Sequence, residues 1–468
     1  MELSEADGVF LRGILRRLAD RPLTPEDPFY VPLHSRPEAE DPVAKIQLLV
    51  ESAELESMQL FSGFKGSGKT TELFRLRSSL TKRGFLVLYA DALEYLDVGS
   101  EIDVTTMLLA VAGAFSDALQ ETLGTDLVAE SFWQRIRNYL TRTTVQVTEA
   151  TAKLETKGPA SDILGNLNAG VDVKMALKTT PTFRQKLRDF LTNRLGELKA
   201  EVNRFVEDGV KVARKKAQRA DLSIVFLFDS FDQVRGTLLN EREVMSSVTQ
   251  LFASYQSLLR FPYVHVVYTV HPWLRFVRPG DFTITTLPSV RQWENDPSRT
   301  TYQAGRDILR RIVAGRLGAE GMRRVFGGSS PQSHPLADEL IAMCGGDFRI
   351  LLLLFRELVS LVLTWTRSLP VTEEVVQRAI VNVRRQYLPL AEDDMQWLAK
   401  IEARRDAELP STRPEDVSRL TRFLDTHLVL LLGNGGDWYD IHPLIREHVK
   451  EQAADQAQRQ KPPGEHTG

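Results

Sequence analysis

The residues best suited to chemistry are contiguous: Gly63-Phe64-Lys65-Gly66-Ser67-Gly68-Lys69-Thr70, within a chain of 468 residues. They spell G-x-x-x-x-G-K-[ST], a glycine turn whose backbone N–H groups converge on phosphate oxygens. Lys69 would reach the β- and γ-phosphates, and the Thr70 hydroxyl would hold Mg²⁺. Gly63, Gly66, Ser67, Gly68 and Thr71 complete the expected phosphate-contacting set. The flanks supply what such a turn needs. Ser57-Met58-Gln59-Leu60-Phe61 reads as a strand that delivers the chain to it, and Thr71-Glu72-Leu73-Phe74-Arg75-Leu76 continues as a helix. The positive end of that helix adds to the field at the phosphates. The spacing predicts binding of a nucleoside triphosphate or diphosphate.

Three further positions bear on hydrolysis. Asp229 closes the apolar strand Ser223-Ile224-Val225-Phe226-Leu227-Phe228, where a carboxylate would hold Mg²⁺ through water. Asp232, three residues on, either polarises the attacking water or caps a helix. Ser230 stands where many ATPases carry a catalytic acid, so slow hydrolysis is expected. Thr269 ends the strand Tyr263-Val264-His265-Val266-Val267-Tyr268, with His271 following before Pro272. A polar group at that strand end points to the γ-phosphate or the attacking water, or else belongs to a turn before proline.

These positions require a scaffold, and composition sets its kind. At 43% hydrophobic and 26% charged residues, the chain has an ordinary globular composition with room for several cores. A formal net charge of −3 gives no global case for nucleic-acid binding. Cys344 is the single cysteine, which excludes a disulfide framework and a cysteine-based metal site. The N-terminus lacks the apolar core of a signal peptide, and the apolar run Ile350–Phe355 is cut by Arg356 and Glu357. A cytoplasmic protein without membrane contact is expected.

Apolar runs at residues 57–61, 85–90, 223–228, 263–268 and 282–287 alternate with helical patterns, including helices over about 3–19, 104–123 and 239–260. The pattern predicts a mainly parallel sheet covered by helices on both faces. A large helical insertion is expected over about 130–220. Within it Leu187, Leu191, Leu195, Leu198, Val202, Val206, Val210 and Ala213 recur at helical steps, as one long amphipathic helix requires. Its basic run, Lys211, Arg214, Lys215, Lys216 and Arg219, either grips an acidic partner or forms a solvated face. Near the C-terminus two helices precede a hairpin, His427–Leu432, the turn Gly433-Asn434-Gly435-Gly436, and Trp438–Ile441, which together read as a winged helix.

In this order, the loop, the strand ending Asp229-Ser230-Phe231-Asp232, Thr269, the helical segment and the winged helix resemble the STAND branch of P-loop NTPases. That branch includes NB-ARC and NACHT switches and is related to AAA+ and Orc/Cdc6 ATPases. The resemblance covers about residues 45–450 apart from the insertion. It implies an α/β P-loop NTPase fold followed by a helical lid and a C-terminal winged helix. The segments are an N-terminal helix and extended arm (1–44), the NTPase domain (45–295), the lid (296–390), the winged helix (391–452) and a disordered tail (453–468). In such ATPases an arm like Asp27-Pro28-Phe29-Tyr30-Val31-Pro32 lies beside the nucleotide base, or it straps the core.

By the same resemblance, Cys344-Gly345-Gly346-Asp347-Phe348-Arg349 is similar to the Gly-Asp-x-Arg sensor of Orc/Cdc6 proteins, where the arginine reaches the phosphates. It departs from the Gly-x-Pro of most STAND members. Ile441-His442-Pro443-Leu444 resembles the NB-ARC segment whose histidine binds the β-phosphate of ADP, so His442 is a candidate lock; alternatively it caps the last helix. The implied activity is a slowly hydrolysing ATP/ADP and Mg²⁺ switch that changes conformation or assembles with protein partners, as in bacterial conflict or antiviral systems. The alternative is an Orc/Cdc6-like ATPase whose winged helix grips DNA. Arg413, Arg419 and Arg422 would serve that role, offset by Glu415 and Asp416.

Overall fold

The computed structural model describes residues 2–33, 41–124, 132–151, 170–237, 239–277, 283–328, 330, 333–407, 409–411, 413–433 and 436–459. The described chain forms two compact units. One comprises Pro42–Ser62 with Arg75–Thr286; the other comprises Met1–Asp41, Gly63–Phe74 and Leu287–Gly468.

The first unit is built on the sheet. Strands β1 (Ser57–Gly63), β2 (Leu86–Asp91), β3 (Ile224–Asp229), β4 (Val264–Val270) and β5 (Ile284–Leu287) lie in the order β2-β3-β4-β1-β5. The pairs β1–β4, β2–β3 and β3–β4 are parallel. Every residue of β3 and of β4 is buried, as near-continuous apolar runs covered on both faces require. This is the α/β arrangement expected of a phosphate-loop fold.

The helix Val104–Leu123 is apolar almost all round because it packs on both the sheet and the helix Leu195–Ala217. Phe115 meets Phe226 of β3 edge-on at 5.7 Å. The long helix expected through the insertion is broken. It runs as Pro181–Leu191, a tight turn Thr192–Arg194, then Leu195–Ala217. The apolar period survives because Leu187, Leu191, Leu198, Val202, Val206, Val210 and Ala213 are all buried. At the break the Thr192 hydroxyl bonds back to the Arg188 carbonyl at 2.7 Å.

The basic run at the end of that helix is occupied locally. Arg214 Nε donates to the Leu222 carbonyl at 3.1 Å, Arg219 to that of Gly84 at 2.8 Å, and Lys216 to that of Leu123. The helix expected to reach residue 260 stops at Ser254, with a separate turn Gln256–Leu259. β5 begins at Ile284; Phe282, expected in the same strand, lies outside the described residues.

In the second unit the helix Glu5–Arg17 starts with a reciprocal capping box between Ser4 and Asp7. Helices Gln303–Phe326 (kinked at Gly318), Pro335–Met343, Phe348–Leu361 and Glu373–Arg384 bury one apolar cluster, to which Leu11, Ile14 and Leu444 also contribute. Then come helices Glu392–Arg404 and Pro414–Asp425, the antiparallel strands β6 (Val429–Gly433) and β7 (Asp437–Ile441), and the helix Pro443–Arg459. The turn residues Asn434 and Gly435 lie outside the described residues. The tail expected to be disordered from 453 instead continues the last helix to Arg459, in keeping with its good helix formers, Ala, Gln and Arg. Residues 460–468 are outside the description.

Among the described residues no helix is long and apolar enough to cross a membrane. No group of His, Cys, Asp and Glu among them could hold a metal ion by itself.

Candidate nucleotide-binding site

The phosphate loop opens where β1 ends, and its geometry follows from its glycines. Gly66 and Gly68 adopt φ of 84° and 92°, a region that side chains disfavour. The Ser67 N–H closes the turn on the Phe64 carbonyl at 3.1 Å. Lys69 Nζ donates to the carbonyls of Gly63 and Phe64, both at 2.7 Å. Ser67 Oγ is buried with no hydrogen-bond partner among the described residues. A left-handed glycine cradle, a lysine and a buried orphan hydroxyl fit a phosphate chain. Thr70 and Thr71 open the following helix and are half-buried. Thr71 Oγ1 accepts the Leu23 N–H at 3.1 Å, which ties the N-terminal segment to the start of that helix. In the arm, the Arg316 guanidinium lies 5.1 Å from the Phe29 ring centre.

Two residues of the Gly-Asp-x-Arg segment lie against this loop. A Cβ built on Gly66 would come within 2.9 Å of Arg349 Cβ and 3.3 Å of its Nε. One built on Gly68 would lie 3.7 Å from the Phe348 ring. Arg349 Nε pairs with Asp20 Oδ2 at 3.0 Å, both side chains being partly exposed. The segment is shaped by its own glycines. Gly345 and Gly346 have φ of 63° and 84°, and a Cβ on Gly346 would overlap the Val290 carbonyl oxygen at 1.9 Å. Asp347 then caps the helix Phe348–Leu361 by accepting the Ile350 N–H at 3.0 Å. Its Oδ2 lies 2.5 Å from His427 Nδ1. Burial pushes the Asp347 carboxyl up, but the adjacent His427 ring and the Ile350 N–H hold it below the ordinary carboxylate range.

His442 sits against the same glycines. Its Nδ1 accepts the Leu444 N–H at 3.2 Å, which places the ring proton on Nε2. That nitrogen would be 3.2 Å from a Cβ on Gly345. The ring stacks on Tyr387 at 5.3 Å, and burial lowers its pKa to about 3, so it is neutral.

In the sheet unit, parallel register brings Asp229, Thr269 and Asp91 to one edge: Asp229 pairs with Asp91, and Phe61 with Thr269. Asp229 is buried; its Oδ1 accepts the Ser230 N–H at 2.7 Å and its Oδ2 the Tyr89 hydroxyl at 3.1 Å. Burial and the neighbouring Asp229 both raise the Tyr89 pKa, so the phenol stays protonated and donates. Ser230 takes the left-handed conformation, φ 64°. Thr269 Oγ1 accepts the Phe231 N–H at 3.1 Å and so holds the turn after β3. Accepting leaves the Thr269 O–H to serve as a donor. Asp232 is buried in the turn Phe231–Gln233. His271 Nε2 lies 2.7 Å from the Val234 carbonyl.

Sequence reasoning missed three participants. Tyr89 is one, and the short strand containing it carried the only signal. Asp347 was visible within the motif without a role. His427 gave no signal beyond its place before the hairpin.

No protein-family model matches the chain, and no curated protein does. Among solved structures it is similar to a Walker-type ATPase, PABY2304, of Pyrococcus abyssi, at 12% identity and TM-score 0.37, over 91% of this chain and 100% of that one. It is also similar to Cdc6p from Pyrobaculum aerophilum, at 12% identity and TM-score 0.34, over 97% of this chain and 100% of that one. A third is the RuvB Holliday junction branch migration motor of Thermotoga maritima, at 13% identity and TM-score 0.31, over 88% and 95%. Likeness of this size leaves function to the residues.

Proposed function

We propose that the chain is an ATP- and Mg²⁺-binding P-loop ATPase of the AAA+ kind, in which the Asp347–Arg349 segment responds to the phosphates held by the loop. The observation that carries this reading is Arg349 against Gly66. A cation beside the phosphate cradle interacts differently with a diphosphate and a triphosphate, which is what coupling to nucleotide state requires. Lys69 and the loop amides bind the phosphates. Thr70 offers a hard oxygen ligand that suits Mg²⁺, which would neutralise charge on the β- and γ-phosphates, and the metal role expected of Asp229 stays part of the proposal. Thr269 orients the γ-phosphate or water as a hydroxyl donor. The acid found after the metal carboxylate in many ATPases is replaced by Ser230, so turnover is slow.

Of the two finer readings, an Orc/Cdc6-like ATPase is better supported than a STAND switch locked by histidine. The segment is spelled Gly-Asp-Phe-Arg rather than Gly-x-Pro, and His442 is buried and neutral, its Nδ1 accepting the Leu444 N–H and its ring stacked on Tyr387. DNA binding through the helix Pro414–Asp425 has less support, because Arg419 and Arg422 are both bound to Asp394 at 2.6 Å. Assembly with protein partners or with further copies stays part of the proposal.

The test is the nucleotide carried by the purified protein and its turnover, beside Lys69→Ala. Retained ADP or ATP that is lost in the variant supports the reading. No binding of either nucleotide by the wild-type protein would remove it. Duplex DNA binding that weakens steeply with salt would revive the DNA-gripping role.

A further inference from the structure

The buried pair Asp347–His427 joins two features that the nucleotide-binding reading treats separately. On one side, Asp347 caps the helix that sets Phe348 and Arg349 against Gly68 and Gly66. On the other, His427 is the junction between the helix Pro414–Asp425 and β6. Its N–H bonds to the Leu424 carbonyl at 3.3 Å and its φ is 60°, in the left-handed region. Its ring also meets Phe64, inside the phosphate loop, edge-on at 6.3 Å. The pair is enclosed: Asp347 is 2% exposed and His427 is 6% exposed. The loop therefore touches both partners' neighbourhoods, through Phe348 and Arg349 for the aspartate and through Phe64 for the histidine.

Burying a carboxylate is costly unless a partner and hydrogen bonds offset it. A capping residue does not require that cost, since caps are usually solvated. The closeness of His427 accounts for how Asp347 stays charged in the interior. A movement of the capped helix start that carries Phe348 and Arg349 away from the loop would stretch this contact, and packed interiors respond to such strain by switching rather than deforming.

We infer that His427 is a positioning residue: with Asp347 it forms a latch that makes the β6–β7 hairpin and the phosphate loop change state together. The inference rests on the nucleotide-binding reading and adds where the signal goes. Nucleotide in the loop moves Phe64 and Arg349, the latch shifts, and the hairpin's exposure changes. This is a role for a histidine fifteen positions before His442, the residue singled out by motif.

The test is amide hydrogen exchange on the full chain, with and without Mg-ADP, in wild type, His427→Ala, His427→Gln and Asp347→Asn. Asn caps a helix as well as Asp, so Asp347→Asn removes the carboxylate that faces His427 and keeps the helix start. In wild type, Mg-ADP should change exchange both in residues 66–71 and in residues 429–441, the latter by about 5-fold or more. In His427→Ala and Asp347→Asn the loop response should persist while the hairpin response disappears. His427→Gln, which keeps a side-chain donor, should restore part of it. A hairpin response that survives in both loss variants, or that is absent in wild type while the loop responds, overturns the latch. Absence of any loop response in wild type removes the nucleotide-binding reading and the latch with it.

Discussion

Arg349 rests on Gly66 so closely that a methyl group on the glycine would meet Arg349 Cβ at 2.9 Å, and Gly66 itself holds φ at 84°. Two penalties therefore fall on Gly66→Ala: a left-handed alanine, costing about 1–2 kcal/mol, and displacement of the arginine. Both act on the phosphate cradle. ATP and ADP affinity should fall by more than about tenfold while the far-ultraviolet dichroism is unchanged. Arg349→Gly in the Gly66→Ala background removes the Cβ that clashes and should recover part of the loss. No recovery would mean that the two residues are apart in solution.

Tyr89 donates to Asp229 Oδ2 at 3.1 Å across the β2–β3 pair. On the proposed Mg²⁺ role of Asp229, Tyr89 is an outer-shell partner that fixes the carboxylate, and losing such a partner costs about 10–100-fold in metal affinity. Tyr89→Phe keeps the ring and removes only the hydroxyl. The Mg²⁺ concentration giving half-maximal hydrolysis should rise by about that factor, with ATP affinity in the absence of metal unchanged. An unaltered Mg²⁺ titration would show that Tyr89 does not position the carboxylate.

What the sequence disclosed, and what it did not, follows from how far apart the interacting residues lie. The loop is contiguous, so Gly63 to Thr70 declared its shape. The strands before Asp229 and Thr269 were legible because burial on both faces demands unbroken apolar runs. The Tyr89–Asp229 bond spans 140 positions and depends on strand order, which no local pattern encodes. His427 became visible only once helix and hairpin had brought it to Asp347. The break at Thr192–Arg194 was hidden for a different reason: a short tight turn preserved the buried period of Leu187 to Ala213.

Gly113 sits inside the helix Val104–Leu123 with the Trp133 ring lying across it. A Cβ there would fall 2.0 Å from Trp133 Cζ2. In an exposed helix Gly→Ala gains about 1 kcal/mol of propensity. Here the overlap with a buried indole forces a core rearrangement costing about 1–3 kcal/mol, so overpacking outweighs propensity. Gly113→Ala should lower the urea midpoint, and a raised midpoint would show that the indole moves freely.

Acid should unfold the second unit through His442. Its folded pKa is about 3 against an ordinary 6.5, because burial disfavours the imidazolium, with Asp347 opposing that shift. The unfolded chain therefore binds a proton that the folded chain excludes between those two values. Stability is full above pH 6.5 and falls as the pH drops toward 3, by about 1.4 kcal/mol per pH unit and on the order of 5 kcal/mol in all. Asp347 adds loss of the same sign at lower pH, since its folded pKa is depressed and its contribution disappears as the pH falls through that value. His442→Gln can still accept the Leu444 N–H but cannot titrate. Urea midpoints measured from pH 7 to pH 4 should therefore fall less steeply in the variant, by about that slope. Parallel curves would show that His442 is protonated as readily in the folded chain as in the unfolded one, and that its burial is not maintained in solution.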